Sequence, residues 1–176
     1  MLGRPRRAWG KLRPVSGVDG AIEWHPLVDH CADVAACVEA LLAQPTVAAR
    51  LGLDGRDRVG ASRLAALAFL HDLGKANLGF QNKQYRQKDG RYPREIAGHV
   101  REVAPLFQRD RLSERLSATL PLETIDSWGR GATVYNLRAA SISHHGTPVD
   151  PSLDPEFSNR SYLWQATPDG CGWPTR

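Results

Sequence analysis

The sequence has only three cysteines, Cys31, Cys37 and Cys171. No two of them form a CxxC pair, which argues against a zinc finger or a thioredoxin-type motif. So sparse and odd a set fits a reducing compartment better than a disulfide scaffold. Long apolar runs are also missing. The longest, Leu64–Leu70, falls far short of the ~20 residues a bilayer-spanning helix needs. No apolar stretch of a secretory signal follows the basic N-terminus, so the cytoplasm is the expected setting, with no membrane partner. No segment alternates apolar and polar residues over six positions as a half-buried strand would, so the expected fold class is all-α. There is no GxxxxGK[ST] phosphate loop, which excludes a P-loop nucleotide site within these residues.

What is present suits one folded domain. The 176 residues are 41% hydrophobic and 24% charged. A chain of this length buries roughly 70% of its unfolded surface and needs no covalent staple. The formal net charge is +4, and Arg4, Arg6, Arg7, Lys11 and Arg13 all precede the first acid, Asp19. The basicity is therefore gathered in an N-terminal arm, residues 1–20. Such an arm either tracks phosphates or is a solvated terminus. Residues 21–148 form the expected helical domain. Residues 149–176 show no helical period and read as an irregular C-terminal segment.

Apolar residues at Leu27, Cys31, Val34, Val38 and Leu41 recur at helical spacing, predicting a helix from Pro26 to Leu42. A second is predicted over about Ser62 to Leu73, with Leu64, Leu67, Ala68 and His71 on one face and Gly74 as its cap. A third spans about Arg94 to Ala104, with Ile96, Val100 and Val103 inward and Pro105 ending it. A fourth spans about Thr133 to His145, with Leu137, Ala140 and His144 aligned. A weaker pattern covers residues 110–122. Residues 81–94 read as a loop rich in lysine, arginine and tyrosine. That mixture suits single-stranded nucleic acid, with Lys83, Arg86, Lys88 and Arg91 as the phosphate-pairing candidates. It is equally the composition of an exposed polar loop.

Five of the six histidines, His30, His71, His99, His144 and His145, fall on or at the edges of the apolar faces of four separate predicted helices. Asp72 follows His71 directly. One histidine on an apolar stripe is ordinarily a satisfied core residue. Five imidazoles and a carboxylate converging in one core would be costly to bury without partners. Divalent metal resolves that cost, because neutral imidazole and carboxylate are good ligands for first-row transition ions. A bridging carboxylate also suits the two-ion arrangement used in phosphoryl hydrolysis.

The order His, His-Asp, His, His-His resembles that of the HD phosphohydrolase superfamily. Trp9-Gly10-Lys11, Trp24-His25-Pro26-Leu27-Val28-Asp29-His30, Leu70-His71-Asp72-Leu73-Gly74-Lys75, Gly98-His99 and Ser143-His144-His145-Gly146 together resemble the CRISPR-associated HD nuclease. That is the nuclease half of the type I CRISPR helicase–nuclease. The resemblance implies an HD-domain helical bundle with a central dinuclear His/Asp metal site. It implies metal-dependent endonuclease or exonuclease cleavage of single-stranded DNA during interference against invading DNA. The implied partners are a CRISPR helicase domain or subunit and the crRNA-guided surveillance complex. By motif, His30, His71 and Asp72 would hold one ion, and Asp72 would bridge to a second held by His99, His144 and His145. Lys75 would face the scissile phosphate. His25 is not a ligand in the family pattern and reads as structural, beside Trp24. The implied cofactors are two divalent ions, Mn, Ni, Co or Fe, with Mg also admitted.

The family pattern closes its first site with an aspartate well beyond the His-His pair. This sequence ends at Arg176, and its later carboxylates, Asp150, Asp154 and Asp169, stand in no helical pattern. The expectation is an incomplete first site in a fragment or a shortened member. Two other readings stay open. One is an HD enzyme acting on nucleotides or cyclic dinucleotides. The other is a metal-binding module that docks to a helicase or surveillance complex without cutting.

Overall fold

A computed structural model describes residues 7–18, 21–53, 58–87, 89–107, 118–143, 145–146 and 155–164. It opens with an antiparallel pair, β1 (Trp9–Pro14) and β2 (Ile22–Pro26), in which Lys11 faces His25 and Leu12 faces Trp24. The fold is mostly helical, but this pair corrects the all-α expectation. Each strand is bounded by proline and too short to show a convincing alternation. Arg13 and Glu23 pair across the two strands through Nε–H···Oε2 at 3.0 Å. The pairing is irregular between Trp9 and Lys11, where Gly10 interrupts it.

Helix α1 (Leu27–Leu42) follows directly and packs on α3 (Arg58–Phe69), with α2 (Pro45–Arg50) between them in sequence. Its inner face runs through Leu27, His30, Cys31 and Leu42. Leu41, expected inward, is exposed, because the stripe continues from Val38 by four residues rather than three. The predicted helix over Ser62–Leu73 divides. The α-helix ends at Phe69, and Leu70–Ala76 winds as a tighter 3₁₀ segment in which Asp72 leaves helical geometry (φ −106°, ψ 15°). Short turns of helix follow, α4 (Leu78–Gln81) and a 3₁₀ turn Asn82–Tyr85, the second of them inside the stretch expected to be loop.

The predicted helix over Arg94–Ala104 is not formed. Residues 92–100 lack regular structure, and a 3₁₀ segment, Arg101–Phe107, carries Pro105 inside it. Ile96 is exposed, whereas Val103 is deeply buried. Most of the weak 110–122 pattern lies outside the described residues, and α5 (Leu122–Asp126) begins at its end. Helix α6 (Thr133–Ile142) stops before Ser143 and buries Val134, Arg138 and Ile142 instead of Leu137 and Ala140. The face is turned because Arg138 lies on the buried side, with its guanidinium donating to Asp126 Oδ1 at 2.9 Å. A charged residue with a long apolar stem does not register in a hydrophobic pattern. Within the expected irregular C-terminus, Pro155–Trp164 forms a 3₁₀ segment.

One buried cluster joins Leu27 and Cys31 of α1, Ala76, Val103, Leu106, Ile142 of α6, and Leu163 with Trp164. A second joins Leu67, Leu70, Leu122, Ile125 and Val134, and Phe69 packs against both. The first cluster draws on every described segment that carries or adjoins a motif histidine, so its packing brings those histidines to one side of the core. Among the described residues, no helix is long and apolar enough to cross a membrane.

Candidate metal centre

Asp72 is the hub. Its carboxylate is 2% exposed and sits where the chain tightens from α-helix to 3₁₀ geometry. Oδ2 lies 2.9 Å from His30 Nε2, 3.0 Å from His71 Nε2 and 2.6 Å from Lys75 Nζ. Oδ1 faces the other way, 3.4 Å from His99 Nε2. His99 Nε2 in turn lies 3.0 Å from His145 Nε2. The two carboxylate oxygens therefore address two different groups of imidazoles.

The local sequence explains each placement. His30 is one helical turn into α1 and points under β1, where Gly10 leaves it room. A Cβ on Gly10 would lie 2.9 Å from His30 Cβ. His71 is oriented by its own helix, because Nδ1 lies 2.8 Å from the Ala68 carbonyl oxygen. A carbonyl only accepts, so Nδ1 carries a proton and Nε2, which faces Asp72 Oδ2, is the atom left to bind metal when the ring gives up its other proton. Lys75 reaches back three residues to Asp72 and also donates to the Gly10 carbonyl at 3.2 Å. Gln81 fixes that corner, taking Trp9 N–H on Oε1 at 3.0 Å and donating Nε2 to the Trp9 and Lys75 carbonyls at 3.0 and 2.6 Å. His99 is carried by irregular chain, not by a helix, and stacks edge-on to Phe80 with ring centroids 5.1 Å apart.

The donor set fits divalent metal. One ligand atom each from His30, His71 and Asp72 can be chosen so that all lie within 4.8 Å of one another. Atoms bound to one ion at ~2.1 Å stand roughly 3 Å apart, close to the spacings around Oδ2 and between His99 and His145. A histidine whose Nδ1–H is fixed on a backbone carbonyl, as His71 is, is the usual form of a metal-binding imidazole. Burial favours a neutral Asp72, but hydrogen bonds from His71 and Lys75 outweigh it and hold the carboxyl well below the usual carboxylate range. Burial, reinforced by the Lys75 charge, lowers His30 against its hydrogen bond to the Asp72 carboxylate. An anionic carboxylate and a neutral imidazole are the forms that bind metal.

These shifts fix a pH response of the metal-free chain. A group lowered by folding takes protons more readily when unfolded. Its contribution is complete above its unfolded pKa and is lost as pH falls through the folded value. His30 should thus cost stability below about pH 6.5, and Asp72 below about pH 4. Thermal unfolding by circular dichroism from pH 8 to pH 3 should show both losses, and His30→Asn should flatten the first. A wild-type midpoint that rises as pH falls from about 7 to about 5 would contradict this.

Other sequence candidates are placed as follows. His144 lies outside the described residues, as do Lys88, Asp150, Asp154 and Asp169. His25 stands apart from the carboxylate, with Nε2 2.9 Å from Asp33 Oδ2 and its ring edge-on to His30 at 6.2 Å. Lys83 lies at 4.4 Å over the ring of Phe80, which His99 also meets, and partial burial lowers its pKa. Arg86 is exposed, and Arg91 is exposed and paired with Asp89 at 2.6 Å.

A family model described as "Cas3, HD domain" matches residues 9–171. The chain belongs to the Cas3 HD-domain family. Membership makes it a CRISPR-associated HD nuclease domain, of the metal-dependent class attached to type I systems. The matched span takes in both strands, the whole Asp72 cluster and the C-terminal 3₁₀ segment. No curated protein and no solved structure matches the chain.

Sequence reasoning missed three side chains that support this Cas3 HD centre: Asn77, Gln81 and Glu102. Asn77 directly precedes a turn of helix, and its Oδ1 accepts the Phe80 N–H at 2.8 Å as an N-cap would. That role was legible from residue type. The long-range partners of Asn77 and Gln81 were not, because they are backbone groups that no side-chain pattern marks, and the distant partner of Glu102 is Arg160, in a segment with no helical period.

Proposed function

We propose that this domain hydrolyses phosphodiester bonds of single-stranded DNA with two divalent ions, in type I CRISPR interference. The observation that carries the reading is the division of the Asp72 carboxylate, Oδ2 toward His30 and His71 and Oδ1 toward His99. His30, His71 and Asp72 would hold one ion, and Asp72, His99, His144 and His145 the other. Bound metal supplies an activated water and charge neutralisation at the phosphate.

The chain's own residues do the rest. The Lys75 ammonium keeps Asp72 ionised and adds positive charge where a phosphate would sit. The Ala68 carbonyl holds His71 in its ligating tautomer. Lys83, seated on the Phe80 ring that His99 also meets, begins a basic stretch of sequence that continues through Arg86, Lys88 and Arg91 and would lead the strand to the centre. Tyr85, with Arg94 stacked on it at 4.5 Å, offers an aromatic face along the same stretch. The proposed partners are a helicase domain or subunit and the crRNA-guided surveillance complex, in the cytoplasm.

The test compares single-stranded DNA with free nucleotides and cyclic dinucleotides as substrates under Mn²⁺, Ni²⁺ or Co²⁺. Preferential cleavage of the DNA is expected, and faster turnover of the nucleotides would overturn the reading. Lys83→Ala should weaken single-stranded DNA binding by about fivefold at low salt and by less at high salt. An affinity unchanged at low salt, read by fluorescence anisotropy, would remove Lys83 from the DNA path.

A further inference from the structure

His99 sits where the chain has no helical hydrogen-bond ladder, so other contacts must fix it. The peptide groups of the residue before it are held from both sides. Gly98 N–H donates to Glu102 Oε1 at 3.1 Å, and the Gly98 carbonyl accepts from Asn77 Nδ2 at 2.8 Å. Asn77 is fully buried, at 0% exposure. Its other Nδ2 hydrogen goes to the Gly74 carbonyl at 2.7 Å, while Oδ1 accepts from Phe80 N–H. One side chain therefore ties the turn that carries Asp72 and Lys75 to the peptide that carries His99. Glu102, also buried, is braced by Arg160 Nη1 at 2.8 Å, and its carbonyl accepts from Trp164 Nε1 at 2.7 Å. These bonds also explain why the predicted helix over 94–104 is absent. They engage the Gly98 N–H and carbonyl that a helical ladder would use.

We infer that Asn77 and Glu102 are the positioning residues of His99, setting its imidazole against the Asp72 carboxylate through the two hydrogen bonds on Gly98. The metal consequence rests on the function proposed above; the positioning itself does not. An ordinary structural role would spread the effect of a substitution over the whole centre. A positioning role confines it to the His99 side and leaves His30 and His71 undisturbed.

Asn77→Asp keeps the size of the side chain and the acceptor for Phe80. It turns the two-hydrogen donor into an oxygen facing two carbonyls. Glu102→Ala removes the acceptor for Gly98 N–H, and Glu102→Gln keeps it. The full chain, free of metal and with ¹⁵N-labelled histidine and glycine, is read by NMR and then titrated with Zn²⁺. In Asn77→Asp and Glu102→Ala, the ring resonances of His99 and His145 should move while those of His30 and His71 hold. Gly98 amide exchange should quicken by about tenfold or more. Zn²⁺ affinity should fall about tenfold or more on the His99 side alone. Glu102→Gln should stay near wild type. If Asn77→Asp does not fold, the two Glu102 variants read the same coupling from the other side of Gly98. Equal displacement of all four histidines, or an unmoved His99, overturns the inference. A wild-type chain that binds no Zn²⁺, with variants that still displace His99 selectively, overturns the metal reading and leaves the positioning intact.

Discussion

Asp72→Ala is expected to abolish DNA cleavage, with a loss of about a thousandfold or more, because the carboxylate is the one group shared by both proposed ions. The same change should damage the fold. His30, His71 and Lys75 all converge on Oδ2, and the Lys75 side chain is only 13% exposed. Removing one member of a buried ionic group leaves the others uncompensated, at a cost of about 3–5 kcal/mol. Activity loss alone would then be ambiguous. Asp72→Asn separates the two effects, because it keeps the shape and much of the hydrogen bonding but not the charge. It should stay folded, with cleavage lost and affinity weakened for both ions. Cleavage by Asp72→Asn at the wild-type rate would sink the bridging role.

Gly74→Ala should be the most damaging glycine-to-alanine change among the described residues. A Cβ at this position would lie 1.7 Å from the His99 carbonyl oxygen and 2.7 Å from its carbonyl carbon. The obstruction is backbone on both sides, so no side-chain rotation relieves it. Either the turn after Asp72 or the chain at His99 must move, and the Asn77 bonds to Gly74 and Gly98 break with it. Overpacking costs typically 1–3 kcal/mol and more where backbone must shift, so about 3 kcal/mol or more is expected here. Denaturant unfolding measures it. Gly17→Ala is the contrast, with open space around its Cβ and strain only from a φ of 79°. A cost below about 1 kcal/mol for Gly74→Ala would mean that the two segments are not in contact.

These predictions draw on features of unequal visibility in the sequence. The gathering of His30 and His71 about Asp72 was legible because both histidines stand at helical spacing from apolar neighbours on predicted helices that pack together; His144 lies outside the described residues. Helix α1 was legible because its stripe is regular. His99 was misplaced onto a helix because Ile96, Val100 and Val103 mimic helical spacing. The competing bonds to Gly98 come from Asn77, distant in sequence, and from Glu102, whose charged type reads as a solvent-facing residue. The strand pair was invisible because five or six residues between prolines carry too little pattern. Arg138 shows the same limit in α6, where a buried guanidinium reversed the reading of which face turns inward. The Gly74 contact was read only as a helix cap. Its closer constraint, the approach of His99 backbone, depends on a segment 25 positions away.

The central claim is two-ion cleavage of single-stranded DNA at the Asp72 cluster. It is tested most directly by following cleavage of a labelled single-stranded oligonucleotide as Mn²⁺ is titrated into the metal-free chain. No cleavage is expected without Mn²⁺, and little while the first ion binds. Cleavage should rise steeply only as the second site fills, because hydrolysis needs ions on both sides of the bridging carboxylate. Cleavage that saturates with a single bound ion, or none at any Mn²⁺ concentration with both sites filled, would contradict it.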